Sequence, residues 1–222
     1  GLEGYGDNPD AWQRWWNAVK DLGREQWQQH LLTNYAQRDR QQAETRLALE
    51  RRLLDTERAL YRGTPPDRRP EVLVRLLEDN LDALRVLGLE LALERLLDDA
   101  GFPDELRAAL RARLEDPRAA IRERAALLLR DLADRPAADR VALRLAGGVE
   151  TVPSVIRANL LLMARVPRPG AVERAFELLE VPELRGASAL ALVAADDAGF
   201  VGERLQIRVL TRVRRLLESA ET

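Results

Sequence analysis

The chain has 222 residues, with 35 basic and 37 acidic side chains and a formal net charge of -2. This balance provides no overall attraction for a nucleic acid or an anionic membrane surface. The absence of cysteine excludes disulfides, thiolate catalysis and Cys-ligated zinc. No apolar run approaches the roughly 18 residues of a membrane-spanning helix, so no membrane insertion is expected, and a composition rich in Leu, Ala, Arg and Glu favours helix throughout.

Residues 1–63 are predicted to form an N-terminal helical module. Asn8 can cap a short helix and Pro9 suits its first position, while three tryptophans spaced by three and four residues share one face of that helix: Trp12, Trp15 and Trp16. Neither proline nor glycine occurs from Arg24 to Arg62, so one long helix is expected there.

The long helix raises the question of self-association through residues 24–62. Leu47, Leu54 and Tyr61 recur every seven residues, as in the seam of a coiled coil. Glu50 and Glu57 occupy the complementary seam positions, which disfavours a regular coiled coil. Self-association is therefore an open alternative at this point.

Residues 64–222 are predicted to form a repeat array that follows a turn-rich linker, Gly63-Thr64-Pro65-Pro66-Asp67. A four-residue motif that ends in arginine occurs four times, at Arg85, Arg122, Arg157 and Arg185. The spacings from 85 to 122, 122 to 157 and 157 to 185 are 37, 35 and 28 residues. Such spacing is typical of stacked helix pairs. The four predicted pairs cover residues 70–98, 103–133, 138–165 and 169–195, and a last amphipathic helix over 202–220 is expected to cap the array.

The second pair carries the clearest family resemblance. This pair resembles a HEAT repeat, because Asp116-Pro117 is followed by Ile121-Arg122 and then by an Ala/Leu-rich helix. The similarity extends over residues 70–195. The N-terminal motif with Trp12, Trp15 and Trp16, in which Asn8 stands in place of Asp, is similar to a segment that precedes the repeats in bacterial HEAT-repeat proteins. The resemblance implies an all-α fold: an α-α superhelix of about four helix pairs whose second helices line a concave face that holds another protein.

The resemblance also implies a ladder of hydrogen bonds between neighbouring repeats. By position, its members are Asp79 with Arg85 and Asp116 with Arg122. Thr151 and Leu179 stand where the third and fourth repeats would have Asp. The ladder is therefore expected to be incomplete toward the C-terminus.

Partner-binding residues are expected on two surfaces, and their mixed signs favour no single ligand charge. On the second helices the candidates are Glu90, Glu94, Glu123, Arg124, Arg130, Asp131, Asn159 and Arg165. On the last helix, a row of arginines is interpreted as a solvated face, with docking of an acidic partner as the alternative: Arg204, Arg208, Arg212 and Arg215.

No constellation of catalytic or metal-binding side chains is recognisable, so neither enzymatic activity nor a cofactor is predicted. The leading interpretation is a protein-interaction scaffold. An assembly module of a larger protein is the first alternative. HEAT-like enzymes of the alkylpurine DNA glycosylase or phycobilin lyase type are further ones, although the second helices of the repeats lack the aromatic side chains, and the chain the positive charge, of a glycosylase groove. The compartment stays open, with the cytoplasm slightly favoured and export of a parent protein compatible with the sequence.

Overall fold

A computed structural model describes residues 8–220, with side chains as far as Arg212. Within this part of the chain there are eleven α-helices and no strand, which confirms the all-α prediction. The helices are α1 Pro9–Val19, α2 Arg24–Gly63, α3 Arg69–Glu78, α4 Asp82–Leu97, α5 Asp104–Ala112, α6 Ala119–Asp131, α7 Arg135–Ala146, α8 Pro153–Arg165, α9 Val172–Leu178, α10 Arg185–Asp197 and α11 Glu203–Ala220.

The chain divides into two compact units between Ala59 and Leu60. In the first unit, the Asn8 side chain caps α1 by accepting hydrogen bonds from the N–H groups of Asp10 and Ala11, at 3.1 and 3.2 Å. The polar middle of α2, residues 37–46, is solvent-exposed except at the half-buried Arg38. This exposure accounts for the polarity of the stretch, since no apolar face has to be buried there.

The division lies four residues before the position suggested by the Gly63-Thr64 linker, because the last turn of α2 packs within the second unit. Tyr61 is only 5% exposed, and the Arg69 guanidinium lies 5.4 Å from the centre of its ring. Burial raises the pKa of the Tyr61 hydroxyl, an effect that the nearby charges of Arg95 and Arg69 partly oppose. Because α2 is continuous from Arg24 to Gly63, its sequence gives no signal for the residue at which it passes from one unit into the other.

The second unit contains four helix pairs in succession: α3 with α4, α5 with α6, α7 with α8, and α9 with α10. The second helices of the pairs, α4, α6, α8 and α10, pack side by side in chain order. Most predicted helix boundaries agree with the structure to within two residues. Two helix starts differ by three residues. α7 begins at Arg135 rather than Ala138 because Asp134 caps it through the N–H of Ala137 at 2.8 Å, and α9 begins at Val172 rather than Pro169 because residues 169–171 form a 3-10 turn.

Leucine dominates the core of this unit, where Leu73, Leu76 and Leu77 of α3 are completely buried. Gly88 allows α4 to approach α3 closely. A Cβ atom at Gly88 would lie 3.2 Å from side-chain atoms of Leu76 and Leu77, which is too close for an undisturbed contact. The tight packing fixes which faces of the second helices remain exposed.

Candidate interaction surface

The side chains on the outer side of α4, α6, α8 and α10, exposed except for the half-buried Leu127 and Leu161, form what we call the second-helix face. On each helix they recur at intervals of three or four residues, as expected for one side of a helix whose other side is buried. Large apolar and charged side chains alternate on this face. Its members are Glu90, Leu93 and Leu97 of α4, Arg124, Leu127 and Asp131 of α6, Arg157, Leu161 and Arg165 of α8, and Leu190 and Val193 of α10.

A groove of about 350 Å³ crosses this face between α4 and α6. Leu93 and Leu127 line it together with the more deeply buried Leu89 and Leu128. Glu90 and Arg124, both predicted as partner-binding residues, face each other across it at 3.3 Å. The groove thus combines an apolar floor with a charged rim, the arrangement common in protein interfaces.

The other predicted residues on the second helices are distributed unevenly. Glu94 and Arg165 are exposed, whereas Glu123 is half-buried. The Arg130 guanidinium pairs with its neighbour Asp131 at 2.7 Å. The prediction was wrong for Asn159, which is only 3% exposed, because α8 turns this residue toward the inside of the unit.

The arginine row of α11 is not a simple solvated face. Arg208 and Arg212 lie over the ring of Phe176 in α9, at 4.5 and 5.7 Å from its centre. Arg208 pairs with Glu173 at 3.6 Å, and Arg212 pairs with Glu180 at 2.5 Å.

Two arginines of the row therefore pair with carboxylates of the same unit, although the Arg208 side chain is still 55% exposed. Docking of an acidic partner stays a prediction. Arg204 is exposed. The side chain of Arg215 lies outside the described residues. The sequence shows that the arginines share a face, but not that this face meets α9.

Three of the four predicted ladder residues, Arg85, Asp116 and Arg122, make contacts between neighbouring pairs, with arginine as the bridge. Asp79 does not: its carboxylate accepts from the N–H of Leu81 at 2.8 Å in its own loop. The Arg85 guanidinium donates to the backbone oxygens of Asp79 and Asn80, at 2.8 and 2.9 Å. Its Nε also lies 2.8 Å from the buried carboxylate of Asp116, in the next pair. Arg85 therefore binds its own interhelical loop and the following pair at once.

Arg122 repeats this arrangement with a residue that the sequence reasoning missed. It donates to the backbone oxygens of Asp116 and Pro117, at 2.8 and 3.1 Å. It also makes two hydrogen bonds with the Glu150 carboxylate, at 2.8 and 2.9 Å. Glu150 directly precedes Thr151, the position at which the repeat pattern would have Asp. An acidic residue one position earlier was therefore the sequence signal for this contact.

Glu150 is held in its charged form by these contacts. Burial by itself would raise the pKa of its carboxyl group. The hydrogen bonds from Arg122, the N–H groups of Val152 and Thr151, and the Arg122 charge together outweigh burial and lower the pKa below its ordinary value of 4.5. The ladder therefore runs one pair further than predicted.

The ladder ends beyond that pair. Within residues 8–212, neither Arg157 nor Arg185 forms an ion pair; Arg157 is exposed, and Arg185 donates from Nε to the backbone oxygen of Leu179 at 3.1 Å.

Asp134 links the first helices of two pairs in the same manner and was also missed. Its carboxylate accepts two hydrogen bonds from Arg111 of α5, at 2.9 and 3.0 Å, while capping α7. Burial would raise its pKa, but the Arg111 and Ala137 hydrogen bonds and the charges of Arg111 and Arg107 lower it below 3.8. The signal was Asp before Arg-Pro, a common start of a helix.

In the part of the chain that the structure describes, no group of three or more His, Cys, Asp or Glu side chains is arranged to hold a metal ion. None of the described helices is both long and apolar enough to cross a membrane. No protein-family model matches the chain, and no curated protein sequence matches it significantly. The similarity to HEAT repeats therefore stays a prediction.

Proposed function

We propose that this chain is a non-enzymatic scaffold for protein-protein interaction and that its partner binds the second-helix face. The main support is the combination of exposed apolar and charged side chains across adjacent helices. Leu97 is 77% exposed, and Leu190 and Val193 are 56% and 60% exposed. Exposed apolar side chains with charges around them are typical of binding sites for other proteins.

The interpretation of the second unit as a HEAT-like superhelix is part of this proposal. It is supported by the succession of second helices and by the arginine-carboxylate links from Arg85 to Asp116 and from Arg122 to Glu150. A rigid array suits partner binding because its exposed side chains are held in position before the partner arrives. The HEAT-like enzyme alternatives rest on the family resemblance alone.

The proposal is tested by capturing partners from native extract with the chain as bait. The informative variant is Leu93→Asp with Leu97→Asp, which places charge on exposed positions of α4 and should leave the core intact. Leu143→Asp, at a 75% exposed position of α7, is the matched control outside the second-helix face. We expect a protein captured by the native chain and the control and lost with the α4 variant.

The captured protein is then purified and its affinity measured directly by titration calorimetry. Equal affinity for the native chain and the α4 variant would place recognition elsewhere and contradict the proposed surface. Failure to capture any protein reproducibly would contradict the scaffold function itself.

Assembly through α2 is a second candidate, favoured by its exposed leucines. Leu32, Leu47 and Leu49 are 65%, 54% and 62% exposed. Sedimentation velocity over a range of concentrations tests it, with Leu49→Asp as the variant and Leu143→Asp as the control. A dimer that Leu49→Asp dissociates is expected if α2 is an assembly element, and a monomer at every concentration would reject this candidate.

A further inference from the structure

Among residues 8–220, the helix stack ends at α10 and α11, and one helix position beside α10 is unoccupied. Each of α4, α6 and α8 packs against the next second helix in the chain, whereas α10 is the last of them. α11 lies on α9, where Arg208 and Arg212 cover Phe176. It therefore takes the place of a further first helix, and within the described residues no second helix accompanies it.

A groove of about 370 Å³ marks the open position between α10 and α11. Leu192 and Val193 of α10 line one side, and Val209 and Leu210 of α11 line the other. Val193 and Leu210 are 60% and 71% exposed. At the junction of α4 with α6, where the next second helix is present, Leu89 and Leu93 of α4 are 2% and 45% exposed.

The charge at the start of α10 indicates what would fit this groove. Arg185 donates to the Leu179 backbone oxygen at 3.1 Å, as Arg85 and Arg122 do to their own loops. Those two arginines also bind a carboxylate that precedes the next second helix, whereas Arg185 forms no ion pair with any described residue. Arg185 lies four residues before Ala189 in the groove wall, so the two share one face of α10.

We propose that the groove binds a single helix of a partner protein, apolar along one side and preceded by an Asp or Glu that pairs with Arg185. This inference rests on the proposed function and specifies the chemistry of one partner element. A complete helix pair, such as a second copy of this chain would present, cannot bind there, because α11 already occupies the place of its first helix. A single helix needs only the open position.

The test uses the full chain and a fluorescein-labelled peptide with the sequence of residues 116–131. This peptide contains α6 and the acidic Asp116 that precedes it. Its binding is followed by fluorescence anisotropy. We expect saturable binding that is about tenfold weaker with Arg185→Gln, the factor that corresponds to about 1.4 kcal/mol.

A double-mutant cycle identifies the charge pair. The peptide carrying Asp116→Asn should bind the native chain about tenfold more weakly than the native peptide, and Arg185→Gln should weaken it little further, because the two changes remove the same contact. Arg157→Gln, at the exposed arginine of the preceding second helix, is the matched control and should bind like the native chain.

Val193→Asp and Leu210→Asp test the apolar walls from two helices, with Leu143→Asp as the control at another exposed apolar position. Both variants should abolish binding while circular dichroism remains native. Should one of them unfold, the other and Arg185→Gln decide the result.

The inference is overturned by an absence of saturable binding, or by binding that is insensitive to Arg185→Gln and to the wall substitutions. It is also overturned if sedimentation shows a dimer that Val193→Asp dissociates, because a second copy would then occupy the groove. Partner capture that depends on Leu93 and Leu97 is unaffected by these outcomes, so the proposed function can stand when this inference fails.

Discussion

Asp134 illustrates how single side chains hold two helices of this protein in register. It caps α7 through the Ala137 N–H and receives two hydrogen bonds from Arg111 of α5. Its side chain is only 2% exposed, so the ion pair is screened far less than one on the surface. Glu150 has the same double role toward the start of α8 and Arg122.

Replacement of both carboxylates, by Asp134→Asn and Glu150→Gln, is expected to reduce the dependence of stability on pH. Their pKa values are lower in the folded chain than in the unfolded chain. The stabilisation is therefore fully present above the unfolded pKa values and is lost as the pH falls through the folded ones, from about pH 5 downward. Urea unfolding at pH 6 and pH 3 measures the effect.

At pH 6 the double variant should be less stable than the native chain by roughly 2–5 kcal/mol, because each substitution removes hydrogen bonds to a charged group. Its further loss on going to pH 3 should be smaller than that of the native chain. Glu183→Gln, at an exposed position, should behave like the native chain. An equal loss in native chain and double variant would show that these two groups do not carry the acid sensitivity.

Among the helices, α6 and α11 show two different kinds of docking. α6 is held between α4 and α8 by a buried apolar face. α11 buries Leu205 and adds the two arginines that cover Phe176 and pair with Glu173 and Glu180. We therefore expect loss of apolar packing to unfold α6 and loss of charge to loosen α11.

Ile121→Asp should destabilise the second unit by about 4 kcal/mol or more, since it removes a core side chain and buries an unpaired carboxylate. Ile121 is 1% exposed. Thermal unfolding followed by circular dichroism measures the change. Ala120→Asp is the control, because Ala120 is exposed one residue earlier on the same helix; similar melting temperatures for the two variants would refute the orientation of α6.

Arg208→Gln with Arg212→Gln should loosen α11 while leaving the four helix pairs folded. The expected loss is about 1–2 kcal/mol, the sum of two cation-π contacts and two partly exposed ion pairs. Hydrogen exchange of the amides of residues 203–212 should become about tenfold faster. Arg204→Gln should leave the exchange unchanged, and native protection in the double variant would mean that Leu205 and its apolar neighbours suffice to hold α11.

The whole chain consists of two compact units that divide within α2, between Ala59 and Leu60. The second unit contains the four helix pairs and has its own leucine-rich core. A unit with its own core is expected to fold alone. The position of the division decides which fragment does so best, because Tyr61 is buried within this unit.

A fragment of residues 60–222 should fold and unfold cooperatively on its own, and a fragment of residues 64–222 should be less stable by roughly 2–4 kcal/mol. The shorter fragment lacks Tyr61, whose buried ring lies under Arg69. Denaturant unfolding of the two fragments measures the difference. Equal stability would show that Tyr61 contributes nothing to the unit, and a disordered longer fragment would contradict its independence.

Much of the secondary structure could be predicted from local patterns. Most helix ends could be predicted from turns that contain glycine or proline and from the cap at Asn8, because these residues affect the backbone within one or two turns of a helix. The recurrence of an arginine at the start of each second helix predicted the order of the pairs. The start of α7 was missed because Asp134 was not recognised as a cap, although the signal was local.

Features that depend on contacts between helices were outside the reach of such patterns. Helical periodicity placed Arg208 and Arg212 on one face but could not show that α9 covers that face. Asn159 is buried because of how α8 packs, and Glu150 reaches Arg122 only because neighbouring pairs stack. Local sequence specifies helices through short-range hydrogen bonds and backbone preferences, whereas the burial and pairing of a side chain depend on residues brought close by packing, often about 30 positions away.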